Sequence, residues 1–120
     1  MKLFLLSAFL LAGIGSLHAQ TTIPLEDAAK HVGDSVKVCG KVFGGRYLEN
    51  ATNTPTLLNL GAAYPDQLLT VVFWGDTRKQ FTGEPEKDLV QKEVCVTGTI
   101  TIYKDKPQIA IHNAAQLKAQ

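Results

Sequence analysis

The sequence predicts an all-β domain, a five-stranded Greek-key barrel with a short helix before the first strand and a helical insert between the third and fourth. Three observations lead there. β-Branched residues recur with period two in short segments bounded by turn formers. Glycines interrupt the two longest of these segments, at Gly40 and Gly98, as strands bent around a small barrel require. Two cysteines, Cys39 and Cys95, stand one in each of those same segments.

The chain opens with features of a secretory signal peptide. Lys2 supplies a short positive region, Leu3 to Ile14 is apolar, and Ser16-Leu17-His18-Ala19 offers a small residue for cleavage after Ala19. An apolar run of roughly 15 residues falls short of the ~20 that a spanning helix needs. No cysteine follows it closely, so an amino-terminal lipid has no acceptor. Residues 20–120 then make one domain, with too little chain for two. Without Lys2 they carry eleven Lys and Arg against eleven Asp and Glu, the twelve cations of the chain less one. The strongly basic balance common in nucleic-acid binders is absent. We expect a monomer, periplasmic or secreted, with no membrane span in the mature form.

In that oxidising setting an isolated cysteine pair reads as a disulfide. There is no Cys-x-x-Cys and no histidine at ligand spacing to favour a redox or metal pair. The closed loop of roughly 57 residues constrains the unfolded chain by about 4 kcal/mol in the loop-entropy picture.

After extended Thr21-Thr22-Ile23, "PLEDAAKHV" begins at Pro24 with acids early and Lys30 and His31 late, the pattern of a short helix, and Gly33 stops it. "DSVKVCGKVF" alternates: Val36, Val38 and Val42 share one parity, and Lys37, Cys39 and Lys41 the other. Gly40 marks a bend or bulge in this first strand. From Gly44 to Pro55 turn formers dominate and no period survives, so a long loop is expected; its Asn50-Ala51-Thr52 matches a glycosylation acceptor. "TLLNL" is the second strand, "GAAYPDQ" a connection and "LLTVVFW" the third strand. A continuous apolar run hides its period, so either Val71 and Phe73 or Val72 and Trp74 point inward. The polar stretch Gly75 to Lys92 permits one or two helical turns around Asp76 to Phe81, with Asp76 available as N-cap. Finally, Val94, Val96, Ile100 and Ile102 share a face and Ile109 and Ile111 continue beyond a turn, which makes a β-hairpin whose loop is Lys104-Asp105-Lys106.

Three strands, a helical insert and two strands is the order of the oligonucleotide/oligosaccharide-binding (OB) barrel. In that topology the first and fourth strands are antiparallel neighbours. Cys39 and Cys95 lie on the parity opposite the valines, which places their bridge on the outer wall. "VCVTGTITIYKDKPQIAIHNAAQL" resembles the last two strands of bacterial OB domains of the tRNA-anticodon-binding type. "GDSVKVCGKV" and "LLNLGAAYP" are similar to segments of small exported bacterial proteins of this fold. The resemblance covers nearly all of residues 20–120 and implies a barrel more strongly than it implies a ligand.

OB domains hold ligands across strands two and three, between the loop joining strands one and two and the loop joining strands four and five. The first of these loops carries Arg46 and Tyr47, and the second Tyr103, Lys104 and Lys106. Aromatic rings stack on bases and lysines meet phosphates; Trp74, with Tyr64, adds stacking surface. The expected function is that of an exported binding module that holds single-stranded nucleic acid weakly and with little sequence preference. The alternative is an envelope module that binds a protein or a glycan. A metal-dependent phosphodiesterase is the remote third reading, since Asp66, Asp76, Arg46 and Arg78 form no compact acidic motif. No enzyme activity, cofactor or metal is expected. His31 and His112 stand alone, and neither a serine elbow nor a phosphate loop is present.

Overall fold

The computed structural model describes residues 20–120; the expected signal segment 1–19 lies outside the described residues. Strand β1 (Thr21–Ile23) leads through Pro24 into a 3-10 helix, Leu25–His31. Gly33, at φ +93°, turns the chain into β2 (Ser35–Tyr47). β3 (Thr56–Leu60) and β4 (Leu69–Phe73) follow, then two single-turn helices, α1 (Gly75–Arg78) and α2 (Pro85–Asp88). β5 (Glu93–Tyr103) and β6 (Lys106–Ala110) form a hairpin, and a 3-10 turn (Ala114–Gln116) precedes β7 (Leu117–Ala119). The domain is mainly β, as expected.

The strand order is β1-β2-β3-β4-β6-β5-β7, and β2 also pairs with β5. The second contact returns the sheet on itself, so β2, β3, β4, β6 and β5 make a closed circuit of hydrogen-bonded neighbours. β4 and β6 are parallel, and the other pairs of the circuit are antiparallel. The sheet has seven strands among the described residues, two more than expected. The extra two are three-residue segments at the ends of the domain: β1 lies parallel to Val36–Val38 and β7 antiparallel to Val94–Val96. Segments so short carry no readable period.

Each long strand serves two partners. β2 pairs with β5 through Ser35–Lys41 and with β3 through Val42–Tyr47; β5 turns from β2 to β6 after Thr99. The register of β2 jumps between Val42 and Gly44, so the bulge lies at Phe43 and not at Gly40, which is in regular register with Val94. Gly98 is required by space, and Gly40 leaves room that the Leu25 side chain fills. A Cβ on Gly40 would stand 2.7 Å from Leu25 Cδ2, and one on Gly98 would stand 2.6 Å from Ile109 Cγ2.

Val36, Val38 and Val42 point into the core with Leu58, Leu60, Val94, Val96, Ile100, Ile109 and Ile111. The ambiguity in β4 resolves in favour of Leu69, Val71 and Phe73, which join this core. Val72 faces the other way yet is only 4% exposed, which is why both parities read as apolar. Ile102, expected on the inner face, is instead 48% exposed. It pairs with Pro107, one residue beyond the Gln108–Ala110 stretch of β6 that β4 covers. Cys39 and Cys95 are directly opposed across β2 and β5, joined in a disulfide and half-buried on the outer wall. Disulfides of this kind persist in oxidising compartments.

The insert closes one end of the barrel. Phe81 stacks on core Phe73 at 4.8 Å, and Leu89 packs beside it. Asp76 does not cap α1: Trp74 holds the N-cap position, and Asp76 lies inside the first turn. Pro85 begins α2, where its missing N–H costs nothing. α1 and α2 are tied by Arg78, whose Nη1 and Nη2 donate to the two Glu86 carboxylate oxygens at 2.7 and 3.2 Å. Nη1 also donates to the buried Thr56 hydroxyl of β3 at 2.8 Å, and the guanidinium lies 3.6 Å from the Tyr47 ring centroid. Burial pushes the Glu86 carboxyl up, but hydrogen bonds from Arg78 and the backbone, with the nearby cations, bring it below its ordinary value. Arg78 is held above its ordinary value, chiefly by the hydrogen bond to Glu86.

Two outcomes follow for stability. Replacing Cys39 and Cys95 by alanine lowers the unfolding free energy by about 4 kcal/mol, since the bridge closes a 56-residue separation; urea titration checks this. Glu86→Gln costs about 3 kcal/mol near neutral pH by leaving Arg78 unpaired. Because folding depresses the Glu86 value, its contribution is full above the unfolded carboxylate range near pH ~4.3 and vanishes as pH falls through the folded value. Urea titrations at stepped pH read this as an acid loss that wild type shows and the variant lacks.

Candidate functional site

The closed circuit turns one face of β3, β4 and β6 outward, and the register lines up its side chains. Asn59 lies opposite Thr70, and Thr70 opposite Gln108. Directly opposed residues share a face, so these three form a polar, uncharged row of about 10 Å, two strand spacings. The neighbouring row is Arg46, Leu57, Val72 and Ala110. Gln67, from the connection between β3 and β4, donates from Nε2 to the Thr70 hydroxyl at 3.0 Å and completes the floor.

Two walls rise beside this floor and enclose a groove of about 420 Å³. On one side the β5–β6 hairpin tip brings Tyr103, Lys104, Lys106 and Pro107. Arg46 and Leu48 line it from β2 and the residue after it, and Tyr64 and Pro65 from the β3–β4 connection. Tyr64 and Tyr103 are 74% and 58% exposed, so their rings are free to meet a ligand. Three cations and no carboxylate line the groove. The lining is thus cationic in a domain of balanced charge, with Asp66 and Asp105 next to it in the chain.

The tip that presents the lysines is tighter than expected. Lys106 pairs with Tyr103 as part of β6, so the loop is only Lys104 and Asp105. Both have positive φ, 50° and 67°, as a two-residue type I′ turn demands. Lys104 Nζ lies 5.4 Å from the Tyr103 ring centroid.

Four of the six expected contact residues, Arg46, Tyr103, Lys104 and Lys106, therefore meet at one groove, and two do not. The loop expected from Gly44 to Pro55 starts only after Tyr47, because Gly44–Tyr47 pairs with Thr56–Asn59. Arg46 and Tyr47 are adjacent on a strand and point to opposite faces. Tyr47 goes under the Arg78 guanidinium and serves the insert. Gly45 lets that packing happen: a Cβ there would stand 2.7 Å from the Leu57 carbonyl oxygen and 3.1 Å from Glu86 Cβ. Trp74 stacks with His112 at 6.2 Å and borders a separate hollow with Thr54, Asp76 and Lys79. The floor residues Asn59, Gln67, Thr70 and Gln108 carried no signal of their own in the sequence, because Asn59 and Thr70 share their outward face with Leu57 and Val72 and leave no polar alternation to read. Among the described residues no three His, Cys, Asp or Glu side chains are placed to share a metal ion, and no helix is long and apolar enough to cross a membrane.

No protein-family model matches the chain. No curated protein matches it in sequence either. Solved structures do match in shape. An aspartyl-tRNA synthetase from Leishmania major Friedlin superposes with TM-score 0.53 at 11% identity over 87% of this chain. RecG bound to a three-way DNA junction superposes with TM-score 0.52 at 17% identity over 83%. The chain spans 21% and 12% of those two proteins. At such identities the likeness is one of fold.

Asp105→Gly relieves one left-handed residue and raises stability by about 1 kcal/mol, read as a higher urea midpoint. The positions of Lys104 and Lys106 are kept.

Proposed function

We propose that this domain is an exported OB-type barrel that binds single-stranded nucleic acid in the groove over β3, β4 and β6, without catalysing a reaction. The observation that carries the reading is the groove's charge: Arg46, Lys104 and Lys106 with no carboxylate among its lining residues. A phosphodiester backbone is the polyanion such a set suits, and the two exposed tyrosines suit stacking by unpaired bases. The OB reading is supported by the circuit of strand pairings, in which the third and fifth strands are parallel and the first and fourth antiparallel. Two solved structures of similar fold supply further support, one a tRNA synthetase and the other captured on a DNA junction. The disulfide fits an oxidising compartment, in keeping with the signal-like opening of the chain.

A glycan is the second reading, favoured by one observation. The floor is uncharged and rich in carboxamides, which serve sugar hydroxyls as well as they serve bases. Salt separates the two, because only a polyanion releases counterions on binding.

Fluorescence anisotropy with a labelled single-stranded oligonucleotide tests the proposal. Binding is expected at low ionic strength, with a log–log salt slope of about −2, each of three phosphate contacts contributing about −0.7. Lys104→Ala or Lys106→Ala flattens the slope by about one contact, whereas Tyr47→Phe, outside the groove, leaves it unchanged. No binding at low salt, or a slope of zero, overturns the proposal.

A further inference from the structure

The outward face that supplies the groove floor continues beyond the groove. Trp74 has extended backbone, φ −99° and ψ 177°, so it prolongs the alternation of β4 and stands on the same face as Thr70 and Val72. The chain leaving β6 keeps its parallel register beside it: Gln108 and Ala110 lie opposite Thr70 and Val72, and the Ile111 amide donates to the Val72 carbonyl. His112 thereby arrives next to Trp74, and the two rings stack at 6.2 Å with 14° between their planes. On the other side Leu48, whose amide donates to the Pro55 carbonyl, carries the groove lining into this same row. The core takes Phe73 and leaves Trp74 out. Instead the half-buried indole lines a hollow of about 480 Å³ with Asn53, Thr54, Asp76 and Lys79.

We propose that a single strand bound in the groove runs on along this face and packs one base against the Trp74 ring, with His112 backing the indole. The inference rests on the nucleic-acid reading above and adds to it a second point of contact outside the groove. A base is the part of the ligand that this end suits. Asp76 and Lys79 both line the hollow, so it carries one charge of each sign and offers a phosphate no net attraction. A ring needs none, because every base presents a π-face to an aromatic side chain. The two ends thus divide the ligand between them. Arg46, Lys104 and Lys106 hold the backbone, and Trp74, four residues past Thr70, takes a base about 13 Å further along the strand. Between them lie Leu57, Val72 and Ala110, uncharged side chains over which a strand of nucleic acid can pass. Sites on barrels of this kind cover ~4–16 nucleotides, more than the groove alone requires.

Trp74 is the only tryptophan of the chain, so the protein's own fluorescence reports on this spot. Titration with oligo-dT of about ten nucleotides at low salt is expected to quench it, with the same midpoint as the anisotropy of the labelled oligomer. Trp74→Leu is expected to weaken binding about tenfold, the loss of one stacked base, and to leave the salt slope unchanged, in contrast to Lys104→Ala. Binding seen by anisotropy without quenching, quenching at a separate midpoint, wild-type affinity in Trp74→Leu, or a flattened slope in that variant overturns the inference and leaves the nucleic-acid reading standing. No binding by either measurement overturns both. The quenching experiment uses the unmodified protein, so it decides the matter even where the variant fails to fold.

Discussion

The pairing of β2 with β5 is the contact on which the rest of the domain depends. Without it the seven strands are an open sheet with two free edges and one apolar face. With it the face folds inward and Val36, Val38, Val94 and Val96 meet the side chains of β3, β4 and β6. The disulfide lies in the middle of this seam, Cys39 facing Cys95, and its residues alternate with the inward valines. A one-residue slip would carry the valines to the outer wall, and a covalent bond between directly opposed residues forbids that slip.

Closure also decides what the two long strands must tolerate. Each begins in one pairing and ends in another, and the interior it bends around is crowded. Gly40 yields its Cβ space to Leu25 of the first helix, and Gly98 yields its own to Ile109. The open end left by this bending is filled by the α1–α2 insert. There Phe81 reaches the core, and Arg78 gathers Glu86, Thr56 and Tyr47 around one guanidinium. Such an arrangement is far more expensive to break on one side than it is valuable as a pair, since a lone buried charge remains. This is a reason to read Tyr47 as part of the scaffold.

The groove is a consequence of the same geometry. Once one face of β3, β4 and β6 is inside, the opposite face is outside, and its row of Asn59, Thr70 and Gln108 becomes a floor. The hairpin tip and the β3–β4 connection project beyond the sheet and become walls. A domain with no excess of positive charge thereby lines a neutral strip with three cations and no carboxylate, although Asp105 sits between two of them in the hairpin tip. Position, more than composition, gives this surface its character.

The sequence by itself determined the class of the domain and much of its wiring. Period-two valines, interior glycines and one cysteine in each long strand specify β2, β5 and their partnership, because alternation and steric allowance are local properties that a chain carries in its order of residues. The hairpin, the inward set of β2 and the sulfur bridge on the outer wall were legible for that reason. Other features belonged only to the tertiary structure. Arg46 and Tyr47 differ by one place in the chain, yet one faces the groove and the other the insert, since β2 continues through a glycine-rich stretch that reads as loop until β3 is paired beside it. Ile102 keeps the parity of the core but lies past the edge of the strand that would cover it. Trp74 turned to His112, and Gln67 became a buried amide that donates to Thr70. Each of these outcomes depends on what another segment places opposite a side chain, and that information lies in long-range register, which no local pattern contains.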